Sequence, residues 1–521
     1  MVKRKVSLVA TLVCSLLALW AVPGFAQFTA SIQGVVHDAS GASVPKAQVN
    51  LTNSATGVIK TTTSDSAGEY RFVSLAPGSY KVSVTANGFS NAEADVTLLT
   101  EQNVNLPISL TVGSARETVI VSTEAPIVDT ADSRLEMTLE SKSVAQLPIV
   151  GRNLVTLVTM APGASGLGTS TSGSPASGVD NYSTEEQVDA SANGQGQNNN
   201  QYIIDGLDVT SGIRQGVLNL TPQPDSIQET SIQVNTFSVE HSRAAGLQTV
   251  FTTKSGSDSF HGSASDWFNY QGMFANQHFV SSSTSHYQPF HSNNMDYAIG
   301  GPIFPHRNSF FYFAVEPLRS SASAGGSVTF ADPQFIAFAK TNYPSTVGTH
   351  VLSTYLPSGI GSSSVQQTAA AVFGTGAGGC GTTTGQNGVP CALPVIDQGS
   401  FGATQIRNGT QYFARIDQGF GKERLYISLF RTLLQTGAAS PMPQFSALNN
   451  TWQIAGQVGW THTFSANTLN EVTAGQSRVE GVLGSGAKDY TVPSISVNGI
   501  NADSGQAYGV GFAQGDFIQH N

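Results

Sequence analysis

The chain has 521 residues, enough for several domains and a large buried core. Charged residues make up only 11% of it, against ~25% in an average soluble domain, while Gly, Ser, Thr, Asn and Gln abound, a mix that suits polar β-structure. Its net charge of −10 argues against a nucleic-acid partner, because there is no basic stripe to neutralise phosphates.

At the start, Lys3, Arg4 and Lys5 precede an apolar run from Val6 to Val22, and Gly24-Phe25-Ala26 offers a small-x-small cleavage site. Residues 1–26 therefore read as a signal peptide, with the mature chain beginning at Gln27. An uncleaved anchor is the alternative, disfavoured by the short run and by Pro23-Gly24. Cys14 lies within the apolar run without small residues just before it, and reads as a passenger. No later stretch offers ~18 consecutive apolar residues, so any membrane-spanning part must be β.

Residues 27–112 read as a β-sandwich, with strands at Ser31 to His37, Gln48 to Asn53, Thr61 to Ser64, Tyr70 to Val73, Gly78 to Ala86 and Asp95 to Leu98. Asp38 to Pro45, Asn53 to Gly57 and Asp65 to Gly68 punctuate them. Tyr70, Phe72, Leu75, Tyr80, Val82 and Val84 supply the expected core. The phrases GVVHDASGASVPKAQVNLTN, SDSAGEYRFVSLAPGSYKVSVTANGF and LPISLTVG resemble the carboxypeptidase regulatory-like domain, a transthyretin-like sandwich without peptidase activity.

Residues 113–125 form a linker whose Val119-Ile120-Val121 core has high strand propensity but no evident hairpin mate, which invites strand addition by a partner. The alternative is the last strand of the sandwich, a place that Leu106 to Leu110 already fills. Residues 126–257 read as a mixed module. Leu154, Leu157 and Val158 have helical spacing and pack inward. The Ser, Gly, Thr and Asn-rich stretch from Ala164 to Asn200 reads as a loop. Asp205-Gly206 is a hairpin turn between Tyr202-Ile203-Ile204 and Leu207-Asp208-Val209. Pro224, Asp225 and Ser226 lead into a helix start with Ile227 and Glu229 in its first turn. Ser231 to Phe237 and Leu247 to Thr253 are strands.

The Asp-Gly hairpin, PDSIQE, VNTFSVEHSRAAG and TTKSGSDSFHGSASDWF, in this order, resemble the plug of TonB-dependent outer-membrane receptors, in particular the Oar-like group. LPIVGRNL near Leu147 is similar to the plug's opening segment. One departure lies at Gly246, followed by Leu247 and Gln248 where the family often has paired glycines. The resemblance implies that Glu117, Thr118, Val119, Ile120, Val121 and Ser122 form a TonB box. It also implies a fold that is mainly β: a transthyretin-like sandwich, an α+β plug domain and the first part of a large antiparallel transmembrane β-barrel.

In residues 258–521 the pattern becomes alternating. Trp452, Ile454, Val458, Trp460 and Phe464 oppose Gln453, Gln457, Thr461 and Thr463; Tyr412, Ala414 and Ile416 oppose Arg415 and Asp417; Leu425, Ile427 and Leu429 continue the apolar series. A soluble sandwich alternates in the same way. The signal peptide and the upstream motifs favour a barrel, and HGSASDWFNYQGMF, NNMDYAIGGPIF, NSFFYFAVEPLRSS and FARIDQGFGKERLYISLF are similar to its first strands. Ser320 to Gly409 are expected to be long extracellular loops. They include Cys380 and Cys391, a pair that reads as a loop disulfide rather than a metal site because no histidine cluster adjoins it. Barrels of this family have roughly 22 strands, and half or fewer fit after Phe260, which implies a truncated product or a fragment.

No His-Glu-x-x-His, Gly-x-Ser-x-Gly or phosphate-loop pattern occurs, and His286 and His291 read as surface loop residues. The expectation is therefore no enzyme and no cofactor. By resemblance the chain is a receptor of the outer membrane, in contact with its lipid and energised by TonB and the inner-membrane complex that draws on the proton-motive force. It would import an unidentified solute of the iron chelate, glycan or peptide kind. The alternative is an exported β-rich adhesion or structural protein.

Overall fold

A computed structural model describes residues 30–113, 118–120, 135–169, 180–273, 290–374, 384, 388–438, 447–465, 468–482 and 516–520, apart from single positions and the stretch 238–243 within those spans. The expected signal peptide, His286 and Cys380 lie outside the described residues.

The first unit is a two-sheet sandwich. One sheet has the order β4-β1-β7, with β8 also on β1; the other runs β3-β2-β5-β6-β9. The strands are β1 (Ala30–Asp38), β2 (Gln48–Asn53), β3 (Ile59–Thr63), β4 (Glu69–Leu75), β5 (Gly78–Thr85), β6 (Asn91–Leu98), β7 (Asn103–Asn105), β8 (Ile108–Leu110) and β9 (Thr118–Ile120). Alternation aims Tyr80, Val82 and Val84 of β5 inward, where they join Tyr70, Phe72 and Leu75 in one core. Each such side chain contributes on the order of 1.5–3 kcal/mol by leaving water. Gly34 sits where a Cβ would lie 2.0 Å from the Leu106 carbonyl oxygen, so only glycine lets that strand pass.

The segment without a hairpin mate is paired nonetheless, at the edge of the sandwich as in the alternative reading. Thr118–Ile120 forms β9, parallel to β6, with Asn91↔Thr118, Ala92↔Val119 and Glu93↔Ile120 in register. A parallel partner remote in sequence leaves no hairpin signature.

The second unit has the sheets β10-β16-β17-β13-β14 and β11-β12-β15. Its strands are β10 (Leu135–Glu140), β11 (Ala164–Thr169), β12 (Thr184–Ala192), β13 (Gln201–Ile204), β14 (Leu207–Asp208), β15 (Val217–Leu220), β16 (Ile227–Asn235) and β17 (Gln248–Thr253). A 3-10 helix at Leu154–Met160 buries Leu154, Leu157 and Val158, as their spacing requires. Two expectations are corrected. The stretch after Ala164 is not a loop at either end, because β11 and β12 pair antiparallel and Val188, Ala190 and Ala192 are buried. Nor do Ile227 and Glu229 open a helix: Pro224–Ser226 makes one 3-10 turn, and Ile227 then begins β16, held between β10 and β17. A strand paired on both edges outweighs a local helix-start signal.

The third unit is a curved wall of nine strands, β18 (His261–Tyr270), β19 (Phe290–Phe304), β20 (Ser309–Ala331), β21 (Ile360–Thr368), β22 (Pro394–Phe420), β23 (Glu423–Ala438), β24 (Ala447–Ser465), β25 (Thr468–Val482) and β26 (Asp516–His520). They pair in chain order, except that β20 passes to β22 and β21 lies on β22. Among the described residues the main run of strands ends at β18 and β26, which do not pair with each other, so the sheet is not a closed barrel.

Ile416, Ile427, Leu429, Val458, Trp460 and Phe464 face outward and are exposed, while Phe413, Arg415, Asp417 and Gln457 face inward and are buried. At 23 and 27 residues, β20 and β22 far exceed the ~9–11 needed to cross a bilayer. Much of the expected loop region is therefore strand. Their far ends pack with the helices Pro333–Asn342 and Val347–Thr354 around Ile336, Val351, Ala369, Cys391 and Ile396. Cys391 is disulfide-bonded. His291 lies on β19, exposed, within reach of the Ser321 hydroxyl.

The sandwich sits at the opposite end, where the short turns between wall strands lie: the Asp258 amide donates to the Ala55 carbonyl at 3.1 Å. Its β6–β7 turn also reaches the second unit. The Thr100 amide donates to Glu229 Oε1 (2.7 Å), the Thr100 and Thr252 hydroxyls meet at 2.8 Å, and Gln233 Nε2 donates to Glu101 Oε2 (3.0 Å).

Candidate functional site

The second unit lies against the inner face of the wall, and polar and charged side chains dominate the contact. Its first anchor is the Asp205-Gly206 turn. Asp205 has φ 45° and Gly206 φ 87°, the left-handed pair that a two-residue hairpin needs. This turn pushes the Asp205 carboxylate toward the wall. Oδ1 accepts from the Thr253 amide at 2.9 Å, and Oδ2 accepts from Arg415 Nη1 at 3.0 Å.

Arg415 is only 3% exposed. It grips Asp417 in bidentate fashion, at 2.8 and 2.9 Å, and its guanidinium lies 4.7 Å from the centre of the Tyr426 ring. Arg424 reaches Asp417 at 3.4 Å, so two cations balance two carboxylates. Burial pushes Asp205 above the ordinary carboxylate range, against the opposing pull of Arg415 and the Thr253 bonds.

A second anchor is Arg152, held at φ 56° after Gly151. It contacts Asp225 at 3.3 Å from its own unit and Asp296 at 3.2 Å from β19, and its guanidinium lies 4.8 Å from the Trp267 ring of β18. Glu316 of β20 completes the cluster, accepting from Asn294 (2.6 Å) and Asn181 (3.0 Å). The third anchor lies further from the sandwich. Arg407 of β22 holds Asp180 through Nε and Nη2 at 2.5 and 2.7 Å. Beside it the fully buried Tyr182 hydroxyl meets the Glu316 carbonyl at 2.7 Å and Asn294 Oδ1 at 3.0 Å.

Behind these anchors, Glu186 is buried within the second unit. Asn153 Nδ2 donates to both of its oxygens and Thr221 Oγ1 donates to one. Burial raises its carboxyl to about 8.

Of the residues singled out in the sequence, Asp205 and Gly206 lie at this interface. Gly246 lies elsewhere in the second unit, where a Cβ would sit 2.8 Å from Asn200 Oδ1. Of the box-like stretch, Thr118, Val119 and Ile120 are in β9 on the sandwich; Glu117, Val121 and Ser122 lie outside the described residues. Arg152, Asp180, Arg407 and Glu316 were not anticipated. Arg415 and Asp417 were legible only as inward-facing positions. Among the described residues no group of three or more His, Cys, Asp or Glu is arranged to hold a metal.

Comparison with known proteins supplies the context. Residues 31–111 match the carboxypeptidase regulatory-like domain, and residues 252–518, half of the chain, match the outer membrane beta barrel domain. The chain is similar to the TonB-dependent transporter Oar of Myxococcus xanthus, 24% identical over 259 residues, or 47% of this chain and 22% of that protein. It thus spans about a fifth of the length of that relative. Among solved structures it is similar to the outer membrane transporter YddB from Escherichia coli, at 12% identity and TM-score 0.40, covering 67% of this chain and 40% of that one. A catechol 1,2-dioxygenase from Acinetobacter sp. ADP1 matches 19% of this chain at TM-score 0.15; neither structural score carries an argument.

Proposed function

The chain belongs to the outer membrane beta barrel domain family, and from that membership we propose that it is part of a TonB-dependent receptor that imports a solute across the outer membrane. In this reading residues 27–112 are the sandwich, 113–125 the linker with its box, 126–257 a plug and 258–521 part of the barrel around it. The Asp205–Arg415 contact carries the proposal. A plug that must move needs a seal that can be exchanged for water. Charge-assisted hydrogen bonds meet that need: each is worth ~1.5–3 kcal/mol net when water can take the partner's place, whereas deleting one partner outright leaves the other buried and uncompensated.

TonB, coupled to its inner-membrane energising complex and the proton-motive force, would pair with Glu117 to Ser122 as an added strand. Its pull would reach β10 and, through the β10–β16 ladder, the sheet that bears the Asp205 turn. The solute is an iron chelate, glycan or peptide, and no cofactor takes part.

The test is binding of the purified periplasmic domain of TonB to the full-length protein in detergent. Binding that disappears when Glu117 to Ser122 are deleted supports the reading. Binding that is absent from the start, or survives the deletion, overturns it.

A further inference from the structure

The outward face of the wall carries two arginines among mainly apolar neighbours. Arg431 on β23 and Arg478 on β25 are both Cα partners of Ile454 on β24. They therefore flank one strand at one level, ~10 Å apart across two strand spacings. Leu429, Gly456 and Gln476 form the neighbouring row. Because Gly456 lacks a side chain, that row is hollow, and a groove of about 530 Å³ opens between the two arginines.

Arg478 is held in place: its guanidinium lies 5.1 Å from the Trp452 ring and pairs with Glu480. Arg431 is exposed and makes no ion pair among the described residues. With Glu480 offsetting one arginine, the site keeps a net charge of +1.

Its level in the wall identifies what it meets. Tyr412, also outward, is the Cα partner of Arg431, and Trp452 stands one outward step beyond Ile454. The other outward tryptophan of β24, Trp460, lies eight positions away, or ~20 Å along the bilayer normal for a strand tilted ~40°. Girdles of outward aromatics bracket an apolar band ~25 Å tall. Arg431 and Arg478 therefore stand one outward step inside the girdle remote from the sandwich, within side-chain reach of lipid headgroups.

The geometry points to a binding site for a phosphorylated lipid, with the phosphate between Arg431 and Arg478 and an acyl chain lying over Gly456; its place in the outer leaflet rests on the proposed reading, in which the sandwich lies on the periplasmic side. Guanidinium forks match phosphate oxygens in charge and geometry. The apolar floor of Leu429 and Ile454 separates a lipid from a free anion.

Native mass spectrometry of the full-length protein in detergent tests this, with dioleoyl phosphatidic acid, dioleoylglycerol and inorganic phosphate as probes. Phosphatidic acid adducts should form at no more than a tenth of the dioleoylglycerol concentration. Arg431→Gln with Arg478→Gln should abolish that preference. Gly456→Leu, which keeps both charges and fills the floor, should deplete the adducts. If the double variant fails to migrate as a folded barrel in unboiled gels, Arg431→Gln alone replaces it. Equal binding of the two lipids, adducts undiminished in the folded variants, or full displacement by inorganic phosphate would each overturn the proposal.

Discussion

Arg415 on the wall and Asp205 on the inner hairpin meet at 3.0 Å with both side chains buried. The two are 210 residues apart in sequence, and no other guanidinium among the described residues contacts Asp205. Replacing Arg415 with Met would strand two buried carboxylates, Asp205 and Asp417, leaving Arg424 to offset one of them. Breaking a buried pair from one side costs about 3–5 kcal/mol. The expected result is a loosened inner unit in a retained wall, which for the proposed plug and barrel reads as higher ion conductance of the full-length protein in planar bilayers. Conductance unchanged from the parent would show that the anchor does not hold the seal.

Tyr182 tests the third anchor without altering charge. Tyr182→Phe keeps the ring in its buried place but takes a donor from the Glu316 carbonyl and Asn294 Oδ1. An unsatisfied buried acceptor costs ~1–3 kcal/mol. The variant should melt earlier than the parent by that margin, and less severely than Arg415→Met. No loss would mean that Tyr182 matters through the packing of its ring and not through these bonds.

Glu229 makes the contact between sandwich and inner unit sensitive to pH. Burial is the largest cause that pushes its carboxyl up to about 7; Thr100 bonds oppose this, while Glu136 and Glu140 add repulsion. Between the unfolded value of 4.5 and about 7, the native state keeps a proton that the unfolded chain has released. Stability from this group is thus complete below that window and falls as pH rises through it. The cost reaches ~3 kcal/mol above the window, at ~1.4 kcal/mol per pKa unit. Glu229→Gln keeps an acceptor for the Thr100 amide and should flatten the melting temperature between about pH 5 and pH 8. Glu186, raised to about 8, leaves a residual slope. An unaltered slope would place Glu229 outside the linkage.

Where alternation and turn chemistry agree, the sequence was sufficient. Val82 and Val84 of β5, Ile427 and Leu429 of β23 and the Asp205-Gly206 turn fall where period-two patterning and φ preference put them. It misled where a polar side chain occupies a core position. Glu186 faces inward on β12, satisfied by Asn153 and Thr221, so β12 lacks the apolar alternation of a strand and reads as loop. It also misled at Ile227, where a local helix-start pattern competes with pairing on both edges of β16. The anchors themselves were hidden, because nothing local to Arg152 or Arg407 names Asp296 or Asp180 as a partner.

The parallel pairing of β9 with β6 bears on the proposed box. Only three residues are in register, and a parallel ladder is slightly less stable per residue than an antiparallel one, so a partner's strand has little to displace. A pull on a box still paired to β6 loads the sandwich and its Thr100 contact with β16 and β17 instead of β10. In the proposed mechanism, energising therefore requires β9 to leave β6. Asn91→Cys with Thr118→Cys joins facing positions of the two strands, and Glu93→Cys with Ile120→Cys does the same one step along. Once oxidised, either variant should lose binding of the TonB periplasmic domain; mild reduction should restore it, and the single-cysteine variants should bind throughout. Equal binding in both redox states would mean that the partner adds to the free edge of β9, with the sandwich and the proposed plug then pulled as one body. Binding in neither state, with the single variants also silent, would instead count against the box itself.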